Sequence, residues 1–79
     1  MQPRYTIRIT PADVGRRVSI RSRTLAPQGE PSMTDAVGTL CSWRDGVLEV
    51  ERRNGTIARI AEVDLLAGKT IPDPRARQH

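Results

Sequence analysis

The chain has no phenylalanine, and Tyr5 and Trp43 are its only aromatic residues. A platform of successive aromatic faces, the usual means of holding single-stranded nucleic acid, cannot be assembled from two rings. Cysteine and histidine occur once each, as Cys41 and His79. One thiol closes no intramolecular disulfide, and the pair is too small for a Cys/His zinc cluster, so no metal site is expected. No apolar run approaches the roughly 18 residues of a bilayer span, and Met1-Gln2-Pro3-Arg4-Tyr5 lacks the long apolar stretch of a signal peptide. The expectation is a soluble, cytoplasmic protein with no membrane partner.

What is present is consistent with one small domain. A chain of 79 residues buries only about 60% of the surface its unfolded form exposes, too little for two independent cores. Isoleucine, valine and leucine total 17 and must supply nearly all of that core. The 13 basic residues outnumber the 9 acidic ones to give +4, and 12 of the 13 are arginine, with Lys69 the exception. A basic, arginine-rich surface suits a partner that carries phosphates or carboxylates, and it equally serves solubility.

Turn-forming clusters punctuate the chain at Pro11 to Gly15, Pro27 to Pro31, Arg44-Asp45-Gly46, Arg53-Asn54-Gly55 and Ala67-Gly68. Between them, Tyr5, Ile7 and Ile9 alternate with Arg4, Thr6 and Arg8, and Val18 and Ile20 alternate with Arg17, Ser19 and Arg21. A period of two marks half-buried strands. No window repeats its apolar residues at helical spacing, and Pro11 to Gly15 has room for one helical turn at most. The fold class is therefore all-β, a small barrel of about five short antiparallel strands. A meander runs from Ala36 to Ile60 with two tight turns, followed by a turn at Val63-Asp64-Leu65 and a last strand near Lys69 to Ile71. The domain spans 1–71, and 72–79, rich in proline and arginine, is a flexible tail or linker. Leu25 to Met33, with two prolines and one glycine, reads as the longest irregular loop.

Register separates the possible turns around Asn54-Gly55. A two-residue loop would place Val50 opposite Arg59 and Glu49 opposite Ile60, mixing charge and hydrocarbon on both faces. A three-residue loop, Arg53-Asn54-Gly55, pairs Leu48 with Ile60, Val50 with Ala58 and Glu49 with Arg59, and requires Gly55 at positive φ. The turn at Asp45-Gly46 is open: two residues would pair Trp43 with Leu48, three would pair Leu40 with Val50.

Catalytic chemistry has little to stand on. The lone histidine is in the tail, so no Ser-His-Asp arrangement is possible. Neither G-x-x-x-x-G-K-[ST] nor G-x-G-x-x-G occurs, and Gly68-Lys69-Thr70 lacks the upstream glycine of a phosphate loop. The carboxylate pairs Glu49/Glu51 and Glu62/Asp64 share a strand face at best, with Arg52, Arg53 and Arg59 near enough to neutralise them. Cys41 reads as a small core residue within a strand. Trp43, beside a turn, is either a partner anchor or the cap of the barrel. Arg17, Arg21 and Arg23 share one strand parity opposite Val18 and Ile20, with Arg8 and Arg16 as extensions. Like charges along one face cost stability unless paired or screened, so this row and Trp43 are the candidate partner-binding face.

Several segments in order, Ile9 to Arg21 (ITPADVGRRVSIR), Met33 to Leu40 (MTDAVGTL), the Asn54-Gly55 hairpin and Val63 to Pro72, resemble the SH3-like domain of an actinobacterial group of acetyltransferases. The likeness covers about residues 7 to 74. In that group the small barrel is N-terminal, and a GNAT-type catalytic domain follows. The acetyl-CoA pyrophosphate motif R/Q-x-x-G-x-G/A matches no position up to His79, so no catalytic or cofactor-binding residue carries across. The resemblance implies a non-catalytic accessory module, not itself an enzyme and without cofactor, whose partner is a protein or a covalently attached acetyltransferase domain. The alternative is a free-standing basic barrel that holds nucleic acid through phosphate contacts.

Overall fold

A computed structural model of the chain describes residues 6–72. Five strands, β1 (Arg17–Leu25), β2 (Pro31–Arg44), β3 (Val47–Arg52), β4 (Ile57–Ala61) and β5 (Leu65–Thr70), form one antiparallel sheet in the order β4-β3-β2-β1-β5. The expected all-β class and strand number are met. Among the described residues the helical segments are two single 3-10 turns, Pro11–Asp13 and Glu62–Asp64. None is long and apolar enough to cross a membrane.

Each element follows from local chemistry. Thr10 opens the first turn because its hydroxyl accepts from the Ala12 N–H, while Asp13 Oδ2 accepts from the Thr10 N–H at 2.9 Å. This reciprocal capping fixes two otherwise unpaired donors, and Pro11 occupies the first position, where no N–H is needed. The alternation in β1 buries Val18, Ile20 and Ser22 and turns Arg17, Ser19 and Arg21 the other way. Ile9, Val18, Ile20, Ala36, Leu40, Leu48, Val50, Ile60 and Leu65 make the core, with Trp43 and Ala58 packed against it.

The β3–β4 hairpin has the three-residue loop. Leu48 faces Ile60, Glu49 faces Arg59 and Val50 faces Ala58, with Gly55 at φ +90°. The Gly55 N–H donates to the Arg52 carbonyl, and Asn54 Oδ1 accepts from both the N–H and the hydroxyl of Thr56. Space around Gly55 is open, so the cost of a side chain there is purely conformational. Gly55→Ala should lower stability by about 1 kcal/mol, read as a shift of the chemical denaturation midpoint; an unchanged midpoint would contradict the left-handed turn.

At Asp45-Gly46 both candidate pairings occur together. The loop has two residues, with Asp45 at φ 55° and Gly46 at φ 76°, the values of a type I′ turn. Trp43 faces Leu48 and Ser42 faces Glu49, then the register shifts by one and Leu40 faces Val50. Cys41 is the extra residue of this bulge. Two successive side chains, Cys41 and Ser42, consequently point away from the core. Cys41 is exposed, which corrects its reading as a core residue: strand alternation fails at an inserted residue.

Three further expectations change. Leu25 to Met33 is irregular only in its middle: Leu25 faces Pro31, and Ser32 and Met33 pair with Thr24 and Arg23. The connection is only 26–30, closed by the Ala26 N–H to the Glu30 carbonyl at 2.8 Å. Pro31 is tolerated as the first residue of its strand. The N-terminal strand is reduced, among the described residues, to one parallel bridge between Ile7 and Gly68; Thr10 commits the backbone to the 3-10 turn directly afterwards. The last strand starts at Leu65, earlier than Lys69, and the turn expected at Ala67-Gly68 lies within it, because Leu65, Ala67 and Gly68 pair with Ser22, Arg21 and Ile20 of β1. Tyr5 and, beyond Pro72, the tail assigned to 72–79 lie outside the described residues.

Candidate functional site

Antiparallel pairing of β1 and β2 sets Arg17 opposite Thr39, Ser19 opposite Val37, Arg21 opposite Asp35 and Arg23 opposite Met33. These pairs share the parity facing away from the buried Val18, Ile20 and Ala36. The arginine row anticipated from β1 is therefore real as a row, but it is not a bare line of positive charge. Arg21 grips Asp35 with two parallel hydrogen bonds, Nε to Oδ1 at 2.8 Å and Nη2 to Oδ2 at 3.0 Å. Bidentate pairing of a planar guanidinium with a carboxylate fixes direction as well as charge. The hydrogen bond from Arg21 holds the Asp35 carboxyl below the usual carboxylate range.

Arg23 lies 3.9 Å from Asp64, a loose contact between exposed groups. Arg17 is half-buried, and its Nε has no hydrogen-bond partner among the described residues. Arg16 turns to Asp13 at 3.6 Å and leaves the row. Arg8 sits on the segment that bridges β5 through Gly68, beyond the β1–β2 face.

Two kinds of residue join this face that the sequence reading did not place there. Lys69, on β5, stands opposite Ser19 and adds a cation beside the row. Val37 and Met33 put hydrocarbon between the charges, with relative exposures of 45% and 49%. Their parity, odd against the buried Ala36, Gly38 and Leu40, was the available signal. The β1–β2 hairpin also runs past the core, leaving Arg23–Leu25 and residues 31–35 exposed.

Trp43 is not on this face. It pairs with Leu48 and packs against the core, and its Nε1 donates to Glu62 Oε1 at 2.8 Å. The indole thus ties the Glu62–Asp64 turn to the end of β2. The acidic residues that might have worked as a pair are engaged separately. Glu49 takes Arg59 Nε at 2.9 Å and accepts from the Ser42 hydroxyl, while Glu62 takes Trp43 and Asp64 lies near Arg23. Among the described residues no group of three or more His, Cys, Asp or Glu is placed to hold a metal ion.

The family model described as the Rv0428c N-terminal Sm-like domain matches residues 12–69. The matched span runs from within the first 3-10 turn to Lys69 in β5 and so contains the β1–β2 face entire. No curated protein and no solved structure matches the chain.

Proposed function

The chain belongs to the Rv0428c N-terminal Sm-like domain family, and we propose that it works as a non-catalytic module that docks a protein through the outward face of β1 and β2. The partner we propose is a GNAT-type acetyltransferase domain, attached or separate, following the resemblance of Ile9–Arg21 and Met33–Leu40 to the barrel that precedes such domains. The family description itself places the domain at an N-terminus in the protein it is named for. One observation carries the docking reading: the interleaving of Met33 and Val37 with Arg17, Arg21 and Arg23 on a single surface. Protein interfaces combine apolar contact with arginine in this way. A phosphate-binding strip has no use for Asp35 locked across Arg21.

Salt dependence separates this reading from nucleic-acid binding. Three phosphate contacts by Arg17, Arg23 and Lys69 would give a slope of log affinity on log salt near −3, at roughly 0.9 per phosphate on duplex DNA. Fluorescence anisotropy with labelled duplex and single strands, between about 50 and 200 mM salt, should show no binding at the lowest salt. Binding with that slope, lowered by about one in Arg23→Ala, would replace the docking reading with the nucleic-acid one.

A further inference from the structure

The inner face of the sheet changes character at one level. Along β1 the inward residues run Val18, Ile20, then Ser22 and Thr24; along β2 they run Leu40, Gly38, Ala36, then Thr34; along β3 they run Leu48, Val50, then Arg52. Ser22 lies directly opposite Thr34, and Arg52 directly opposite Gly38. Where the apolar rows stop, a cleft of about 310 Å³ opens, bordered by these residues and by Arg23, Arg59 and Asp64. That volume lies at the lower end of small-molecule sites.

Arg52 ends a core row with a guanidinium that presents five donors and no acceptor to this cleft. Arg52 is half-buried and forms no ion pair among the described residues. Arg59 is already committed to Glu49, and Arg23 is held loosely by Asp64. The remaining donors are thus the Arg52 guanidinium, the neighbouring Arg23, and the hydroxyls of Ser22, Thr24 and Thr34. We propose that this cleft binds a phosphate monoester, with Arg52 as its principal ligand and Asp64 as an opposing charge at its edge. A monoester is close to dianionic at neutral pH and offers three acceptor oxygens, matching two cations and a set of hydroxyl donors. Arginine pairs with such a group bidentately. The cleft opens between β1, β2, β3, β4 and the second 3-10 turn; it shares Arg23 with the docking face, but its principal ligand Arg52 has the inward parity, so Arg52→Gln tests the cleft independently of that reading.

The test is amide NMR on the full chain, titrated separately with inorganic phosphate, phosphoserine and adenosine monophosphate at constant ionic strength set with sodium chloride. Saturable shifts at Ser22, Thr34 and Arg52 are expected with at least one of the three, and the tightest identifies whether a nucleotide or a phosphorylated side chain is the source. Arg52→Gln should weaken that binding about tenfold or more, as expected for a lost charged hydrogen bond. Asp64→Asn should strengthen it by a few-fold, a sign that a general loss of folding cannot produce. Arg44→Gln, at the β2–β3 turn, should leave it unchanged. If Arg52→Gln does not fold, Thr34→Val takes its place, with a several-fold loss expected. Linear, non-saturating shifts with all three probes, or wild-type affinity in the folded Arg52→Gln or Thr34→Val protein, would overturn the proposal.

Discussion

Gly38→Ala is expected to destabilise the domain by about 3 kcal/mol or more, the largest effect of any glycine-to-alanine change in it. Gly38 sits in the central strand β2 between Val18 of β1 and Arg52 of β3 and is buried. A Cβ at this position would fall on the Glu51 carbonyl group, with its carbon at 2.8 Å and Arg52 Cα at 3.1 Å. These are backbone atoms of the paired strand and cannot rotate aside, so β3 would have to move and take Leu48 and Val50 with it. Gly68 differs, because its nearest neighbours are side-chain atoms of Ile9 and Ile20. Stabilities of natural domains start at about 5 kcal/mol, so the loss should be visible as a greatly reduced urea midpoint. A variant within about 0.5 kcal/mol of wild type, the range of an ordinary surface change, would show that β2 and β3 do not approach as described.

Leu40→Ala should cost about 3 kcal/mol, within the range for a truncated core leucine, whereas Cys41→Ala should cost less than about 0.5 kcal/mol. Leu40 is fully buried, and its backbone also accepts from the Gly15 N–H and donates to the Arg16 carbonyl. Its neighbour is the extra residue of the bulge and is exposed. The contrast between adjacent positions is the informative quantity. Equal losses on chemical denaturation would mean that the register shift is absent and Cys41 packs inward.

The same bulge explains much of what the sequence concealed. The β3–β4 hairpin was legible because a glycine at positive φ and an unbroken alternation of Leu48, Val50, Ala58 and Ile60 admit one register only. Around Cys41 two registers each fitted part of the pattern, since an inserted residue resets the parity and nothing in the residue types announces it. The β1–β2 extension escaped notice for another reason: both of its faces meet solvent, so Arg23–Leu25 and residues 31–35 have no apolar alternation to detect.

The arginine row is legible from the parity of β1 alone, but placing Asp35 opposite Arg21 needs the β1–β2 pairing to extend into Leu25 to Met33, which two prolines and a glycine disguise as a loop. Lys69 joins the row only once the pairing of β5 is known. Arg52 looked like one of several neutralising surface cations. It becomes an inward residue only in the register that puts it opposite Gly38.

The docking reading is tested most directly by adding a GNAT-type acetyltransferase catalytic domain of the resembled group to the isotopically labelled chain and following its amide spectrum. Saturable changes clustered at Ser19, Arg21, Met33, Asp35 and Val37 are expected, retained when salt is raised because apolar contacts persist when charges are screened. An unchanged spectrum, or changes confined to the β3–β4 hairpin and the Asp45-Gly46 turn, would contradict it.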